Sequence, residues 1–277
     1  MKRTVLFGIC STLILAGCSR HPGAKMESLI RNFDYDVYIA FEPPTPVVGE
    51  ETTITFHVQQ DGEYSDVFGK NSQVMHTTIT SDNLQDFAHI AFGGELEQKE
   101  IGVYQFTHTF TQPDHYGIWI DFPDLVTRDH HGDRLMHRVF YEFTIPGGPA
   151  GPQPEEIREV VIEPFRITLS SKDDLMATDL EAYHFDIERT DGKPTGFLFG
   201  ADQYYVIAAP ALDEYRLFHV DHHLDEENRV GTEITALNKP GKYIVWIELY
   251  VHGDDDVYVL MPTFVIDIPP YVPSALR

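Results

Sequence analysis

The segment PGGPAGPQPEE, residues 146–156, divides the chain into two halves that repeat one another. Tyr35, Val37 and Ile39 precede Phe165, Ile167 and Leu169 by 130 positions, and Ile54, Phe56 and Val58 precede Tyr183, Phe185 and Ile187 by 129. Gln73 and His89 match Gln203 and His219 at 130, which sets Met75-His76 against Tyr205-Val206. QPDHYGIWIDF (112–122) matches KPGKYIVWIEL (239–249) at 127. His131-Gly132-Asp133 and Phe143 match His252-Gly253-Asp254 and Phe264 at 121. The offset drifts in small steps, as it does when loops alone gain or lose residues. A unit of roughly 110 residues is long enough to close its own core, so the repeat predicts two similar domains rather than one large one.

Within each copy hydrophobicity alternates with period two. Ile54, Phe56 and Val58 share one face while Thr55 and His57 take the other, and Tyr243, Val245, Ile247 and Leu249 alternate with Ile244, Trp246 and Glu248. This is the pattern of strands covered on one side. Turn residues break the runs at DG (61–62 and 191–192), GG (93–94), HGD (131–133 and 252–254) and PG (240–241), and no stretch sustains a helical period. The run from Asp82 to Asp86 allows a turn at most. QPDHY and KPGKY place Tyr116 and Tyr243 where a tyrosine corner opens a late strand. An all-β chain of two tandem immunoglobulin-like β-sandwiches follows, the first over 33–146 and the second over 160–277, joined by a Pro/Gly-rich linker at 147–159 that suggests some freedom between them. Val160, Val161 and Ile162 are placed to pair with a sheet and limit that freedom.

The N-terminus carries an address. Lys2 and Arg3 precede the short apolar run VLFGICSTLILAG, and Leu15-Ala16-Gly17-Cys18 resembles the bacterial lipobox. The resemblance implies a cleaved lipoprotein signal peptide at 1–17, a lipid on Cys18, and a tether over 18–32. It places the chain in the bacterial cell envelope, held to the membrane by its N-terminal lipid. Ser19 rather than Asp after the cysteine implies the outer membrane, facing the periplasm. With Cys10 cleaved and Cys18 acylated, the sandwiches hold no disulfide and no thiolate. A formal net charge of −24 repels phosphate backbones and excludes nucleic acid as a partner class.

PTPVVGEETTITFHV, the DG turn, VMHTTITSDNLQDFAHI and GVYQFTHTFTQPDHYGIWIDF together resemble the YtkA-like family of immunoglobulin-fold envelope domains over residues 41–145, and over 165–268 through the duplication. The chain departs from that family in having Ile90 after His89, where the family carries His-Pro, and in losing Met-His from the second copy. The resemblance implies copper-handling or envelope-accessory settings.

Met75 and His76 are neighbours on a predicted strand and so point to opposite faces. Met75 is expected in the core, with Ala88, Ile90 and Phe92, while His76, Phe87 and His89 are expected outward. His76 and His89 on one face, with a carboxylate such as Asp82 or Asp86, form a donor set suited to copper or zinc; two histidines at ordinary outward positions are the plainer alternative. HVDHH, with His219, His222 and His223, reads as a polar strand end. His130, His131 and the Asp254–Asp256 run read as solvated turns. Trp119 and Trp246 are expected to pack on their sheets. No HExxH, nucleophile elbow, phosphate-cradling loop or catalytic cysteine occurs. The expectation is a non-catalytic lipoprotein whose two modules bind or scaffold a protein partner in the envelope. The alternative is a periplasmic metal-handling accessory using His76 and His89.

Overall fold

A computed structural model of the chain describes residues 26–32, 35–65, 67, 75–91, 96–128, 134–171, 181–193, 196–197, 203–208, 215–220, 223–224, 230–234, 240–252 and 257–270. Every regular element among them is a β-strand, and each half closes as a sandwich. In the first module one sheet runs β1 (Met26–Asn32), β2 (Tyr35–Glu42), β3 (Glu51–Gln60), β8 (Val103–Thr109), β7 (Glu97–Glu100), with β4 (Glu63–Tyr64) turned back onto β3. The other runs β10 (Arg134–Ile145), β9 (Asp114–Arg128), β5 (His76–Ser81), β6 (Phe87–Ala91). Asp61 at φ 53° and Gly62 at φ 81° both take the left-handed region, which is what a two-residue hairpin between β3 and β4 needs.

Among the described residues the second module repeats this order for every strand but β4. Its first sheet is β11 (Glu159–Ile162), β12 (Phe165–Ser171), β13 (Glu181–Arg189), β18 (Val230–Ile234), β17 (His223–Leu224). Its second is β22 (Thr263–Ile268), β19 (Gly241–Ile247), β15 (Gln203–Ala208), β16 (Tyr215–Val220). A small third sheet, β14 (Gly196–Phe197), β20 (Leu249–His252), β21 (Val257–Leu260), is added beside them. The alternating residues fill the cores: Val37, Ile39, Ile54, Phe56, Met75, Ile79, Ile118 and Ile120 in the first module, Ile167, Phe185, Tyr243, Val245 and Ile247 in the second.

Pairing registers correct the sequence alignment at three strands. Trp119 lies opposite Thr78 and Trp246 opposite Val206, so His76 is the counterpart of Tyr204, two positions before the residue matched from sequence. By the same registers His89 corresponds to Leu217 rather than His219, and Phe143 to Ile266 rather than Phe264. A slip of two preserves which face each residue takes, so alternation alone does not detect it.

Residues 26–32, assigned to the tether from sequence, form β1 on the edge of the first sandwich. Ile30 pairs Val37 as Val160 pairs Ile167, so the repeat extends through this strand. Residues 1–17, Cys18, the GG turn and His130, His131, His222 and Asp254–Asp256 lie outside the described residues.

The linker is a fastened strap rather than a free hinge. Asn83 Nδ2 donates to the Gly151 carbonyl at 3.0 Å, and Gln85 Nε2 donates to that of Pro152. From the other module, Lys242 Nζ donates to the Pro154 carbonyl at 2.6 Å, and Ile157 exchanges both backbone hydrogen bonds with Val265 at 2.8 and 3.0 Å. Pro and Gly removed side chains and a donor here, and the remaining carbonyls found partners on both sides.

Candidate functional site

β5 is central in its sheet, between β6 and β9, and all six of its residues are buried. Thr77, Ile79 and Ser81 share parity with Met75, which lies in the core; His76, Thr78 and Thr80 therefore project from the opposite face. On that outer face one row across the strands is His89, Thr78, Trp119 and Phe140, and the next is Ala91, His76, Asp121 and Arg138. The two predicted metal ligands do meet. Their ring centroids stand 5.2 Å apart at 31°, a diagonal cross-strand pair.

The outer face is covered, which the sequence reading did not anticipate. His76 is 1% exposed, and Trp119 and Asp121 are buried with it. The second module shows the complementary feature: Ile244 and Trp246 lie on the side of β19 away from its core and are buried too. The Trp246 indole stacks on the His89 ring, with centroids 3.9 Å apart and planes at 27°. The four-stranded sheets thus meet back to back, and the histidine pair sits in the joint. Burial draws His89 down to about 3 from its ordinary value, so its imidazole is neutral there. Its Nε2 is buried with no hydrogen-bond partner among the described residues.

Asp121, directly opposite His76, is the carboxylate nearest the pair in register, and it accepts from Arg138 Nε at 2.8 Å. Neither Asp82 nor Asp86 serves as the third ligand expected from sequence. Both follow the far end of β5, and Asp86 belongs to a different network. The described residues hold no group of three His, Cys, Asp or Glu side chains able to enclose a metal. Two imidazoles alone fall short of the four donors typical of zinc and the tetragonal set of Cu(II).

Asp86 instead builds the tyrosine corner. Tyr116 Oη stands 3.0 Å from Asp86 Oδ2 and 3.0 Å from the Gln112 carbonyl four residues upstream. The Thr111 amide donates to Asp86 at 2.8 Å, and His108 Nε2 lies 3.4 Å from its other oxygen. Burial pushes the Asp86 carboxyl up, but the adjacent His108 imidazole and the hydrogen bonds from the Thr111 amide and Tyr116 outweigh it and hold the group below its usual range. Burial, then the Asp86 charge, pushes the Tyr116 phenol above its ordinary value. Ser81 Oγ donates to Asn83 Oδ1 at 2.8 Å and accepts the Asp86 amide at 3.0 Å. Serine, histidine and aspartate are close here, yet each is committed to holding the corner.

His219 and His223, read together from sequence, fall on strands of different sheets, β16 and β17. Asp121 and Arg138 escaped the sequence reading. The signal available was the aspartate in IWIDF, which shares parity with Trp119 and so needed a partner once that face was covered.

No family model matches the sequence, and neither does any curated protein. Among solved structures, the Escherichia coli adhesin FdeC is similar at 14% identity over 87% of this chain and 66% of that one, with a TM-score of 0.27. A DUF4785 family protein from Legionella pneumophila is similar at 9% identity over 85% of this chain and 56% of that one, with a TM-score of 0.28. MtrC from Shewanella baltica follows at 7% identity over 83% and 68%, with a TM-score of 0.25. The chain spans less than two thirds of the first two. Likenesses this loose carry no argument, and the fold rests on the sheet topology.

Proposed function

We propose that the chain is a non-catalytic envelope lipoprotein, anchored through Cys18, that presents two YtkA-like immunoglobulin modules as one stiff unit to a protein partner. The observation that carries the proposal is the joint. Trp246 stacks on His89, His76, Trp119 and Asp121 on one face and Ile244 and Trp246 on the other are buried, and the strap bonds to each module. Polar clusters that would be the raw material of catalysis are spent on architecture, Asp86 on the corner and Asp121 on Arg138. What remains for function is the outer surface, whose loops and sheet edges are the usual means of recognition in such modules. Capture with the purified full chain from detergent-solubilised envelopes tests this. One partner recovered in constant ratio is the expected result; repeated recovery of none would end the proposal.

The second reading is copper or zinc held by His76 and His89. The 5.2 Å approach of the rings favours it, and the missing third donor among the described residues weighs against it. Equilibrium dialysis with Cu²⁺ and Zn²⁺ decides. Uptake that survives both His76→Ala and His89→Ala removes the pair as ligands.

A further inference from the structure

β11 is an edge strand whose outward backbone groups have no hydrogen-bond partner among the described residues. It pairs with β12 on one side only, with Glu159 opposite Thr168 and Val161 opposite Arg166. The Leu169 amide donates to the Arg158 carbonyl, so residues 158, 160 and 162 direct their backbone groups at β12. Antiparallel alternation then sends the N–H and C=O of Glu159 and Val161 the other way. Ile157 shows that direction to be usable, since its own groups are bonded to Val265. That bridge is isolated: past Ile157 the strand has no further partner on this side among the described residues.

The side chains at this edge have a pattern of their own. Ile157 is 41% exposed and Val161 48%, and Glu159 and Glu163 are exposed between and after them. The exposed face therefore reads apolar, acidic, apolar, acidic. Bare edges invite pairing, and natural proteins guard them with charge. The guard here selects by sign. Two copies of β11 paired antiparallel about Val161 would set Glu159 opposite Glu163 twice, like charges face to face. A strand carrying Lys or Arg opposite Glu159 and opposite Glu163, which lies in the turn just past β11 and accepts from Thr190 Oγ1 at 2.9 Å, would find two carboxylates, with the exposed Val161 and the outward backbone groups between them. Arg166 lies 3.4 Å from Glu159, which moderates the negative charge without cancelling it, since Glu188 shares the same arginine. The net charge of −24 gives the approach of a cationic segment the same sign of assistance.

We infer that the outward edge of β11 binds an extended segment of a partner protein in which every second residue is in turn Lys or Arg and apolar, added as a further strand. The inference rests on the partner-binding reading and specifies the partner's chemistry. A labelled Ac-KTVTKTV-NH₂ peptide, whose every second residue reads Lys, Val, Lys, Val, titrated against the full-length chain by fluorescence polarisation, is the direct probe. Ac-KKVVTTT-NH₂, of identical composition, separates strand addition from simple charge attraction. The alternating peptide is expected to bind saturably and roughly tenfold more tightly than the block peptide. Val161→Pro removes an outward N–H without touching a β12 bond, a change edge strands tolerate, and is expected to weaken binding roughly tenfold. Glu159→Lys with Glu163→Lys, both on the surface, is expected to transfer the preference to Ac-ETVTETV-NH₂.

Equal binding of the two lysine peptides, or binding indifferent to Val161→Pro and to the charge reversal, would overturn the inference. So would a dimer of the full chain that Val161→Pro dissolves, because the occupant would then be a second copy. Envelope capture with the Val161→Pro chain separates this inference from the broader proposal. A partner retained by that variant refutes the β11 edge and leaves partner binding standing, whereas no partner for either chain refutes partner binding itself.

Discussion

His89 carries an energetic commitment that depends on pH. An imidazole in the unfolded chain titrates near 6.5, and burial in the joint draws the folded value to about 3. A depressed folded value means that the unfolded chain binds more protons in between. The stabilisation is therefore whole above about pH 6.5 and drains as pH falls toward 3, at up to about 1.4 kcal/mol per pH unit. Calorimetric melting of the full chain between pH 7 and pH 4.5 should show the loss. His89→Leu, which copies the residue at the equivalent place in the second module, should flatten the pH slope relative to the unaltered chain. An equal slope in both would show that His89 is not the titrating group. The facing of this residue was readable in the sequence, because Ala88 and Ile90 flank it at core parity. Its burial was not, because alternation reports a strand's two faces and says nothing of what a second domain lays over the outer one.

At the level of elements, sequence repetition located the matching strands and their order but placed three of them two residues out. β2 with β12 and β3 with β13 are rich in large residues that fix the register by size, whereas β5 carries Thr77, Thr78 and Thr80, which align almost as well after a slip of two. Pairing of Val160, Val161 and Ile162 with a sheet was legible and is found with β12, whereas the strap's other fastenings were not. Its Pro and Gly describe the linker's own torsional habits, while its immobility comes from Asn83, Gln85 and Lys242, each far away in the chain. Gly147 shows how closely the strap's start is seated. A Cβ added there would stand 2.5 Å from the Pro113 Cβ, a rigid ring beside the tyrosine corner. Gly147→Ala is expected to cost about 1–3 kcal/mol, as overpacking does. An unchanged denaturant midpoint would show that the strap lifts away easily.

Taken whole, the molecule is two copies of one sandwich that use equivalent tryptophans differently. Trp119 stacks on Phe140 within its own sheet at 4.8 Å, and Trp246 reaches across to His89. If the joint couples the modules, the full chain melts in one transition. Trp246→Ala, which strips the aromatic lid from His89, should divide that transition into two and raise the radius of gyration measured by small-angle scattering. A single transition and an unaltered radius would assign the coupling to the strap alone. β1 is an edge strand of the first module, beside β2 in its sheet and near β10 of the other. Among the described residues its strand hydrogen bonds run to β2 alone, along the rim where a chain anchored at its N-terminus would be pulled. A tug from the membrane side would draw its hydrogen bonds apart one after another, as a zip opens. Seven residues at about 3.3 Å each would pay out roughly 23 Å of slack before either core bore the load.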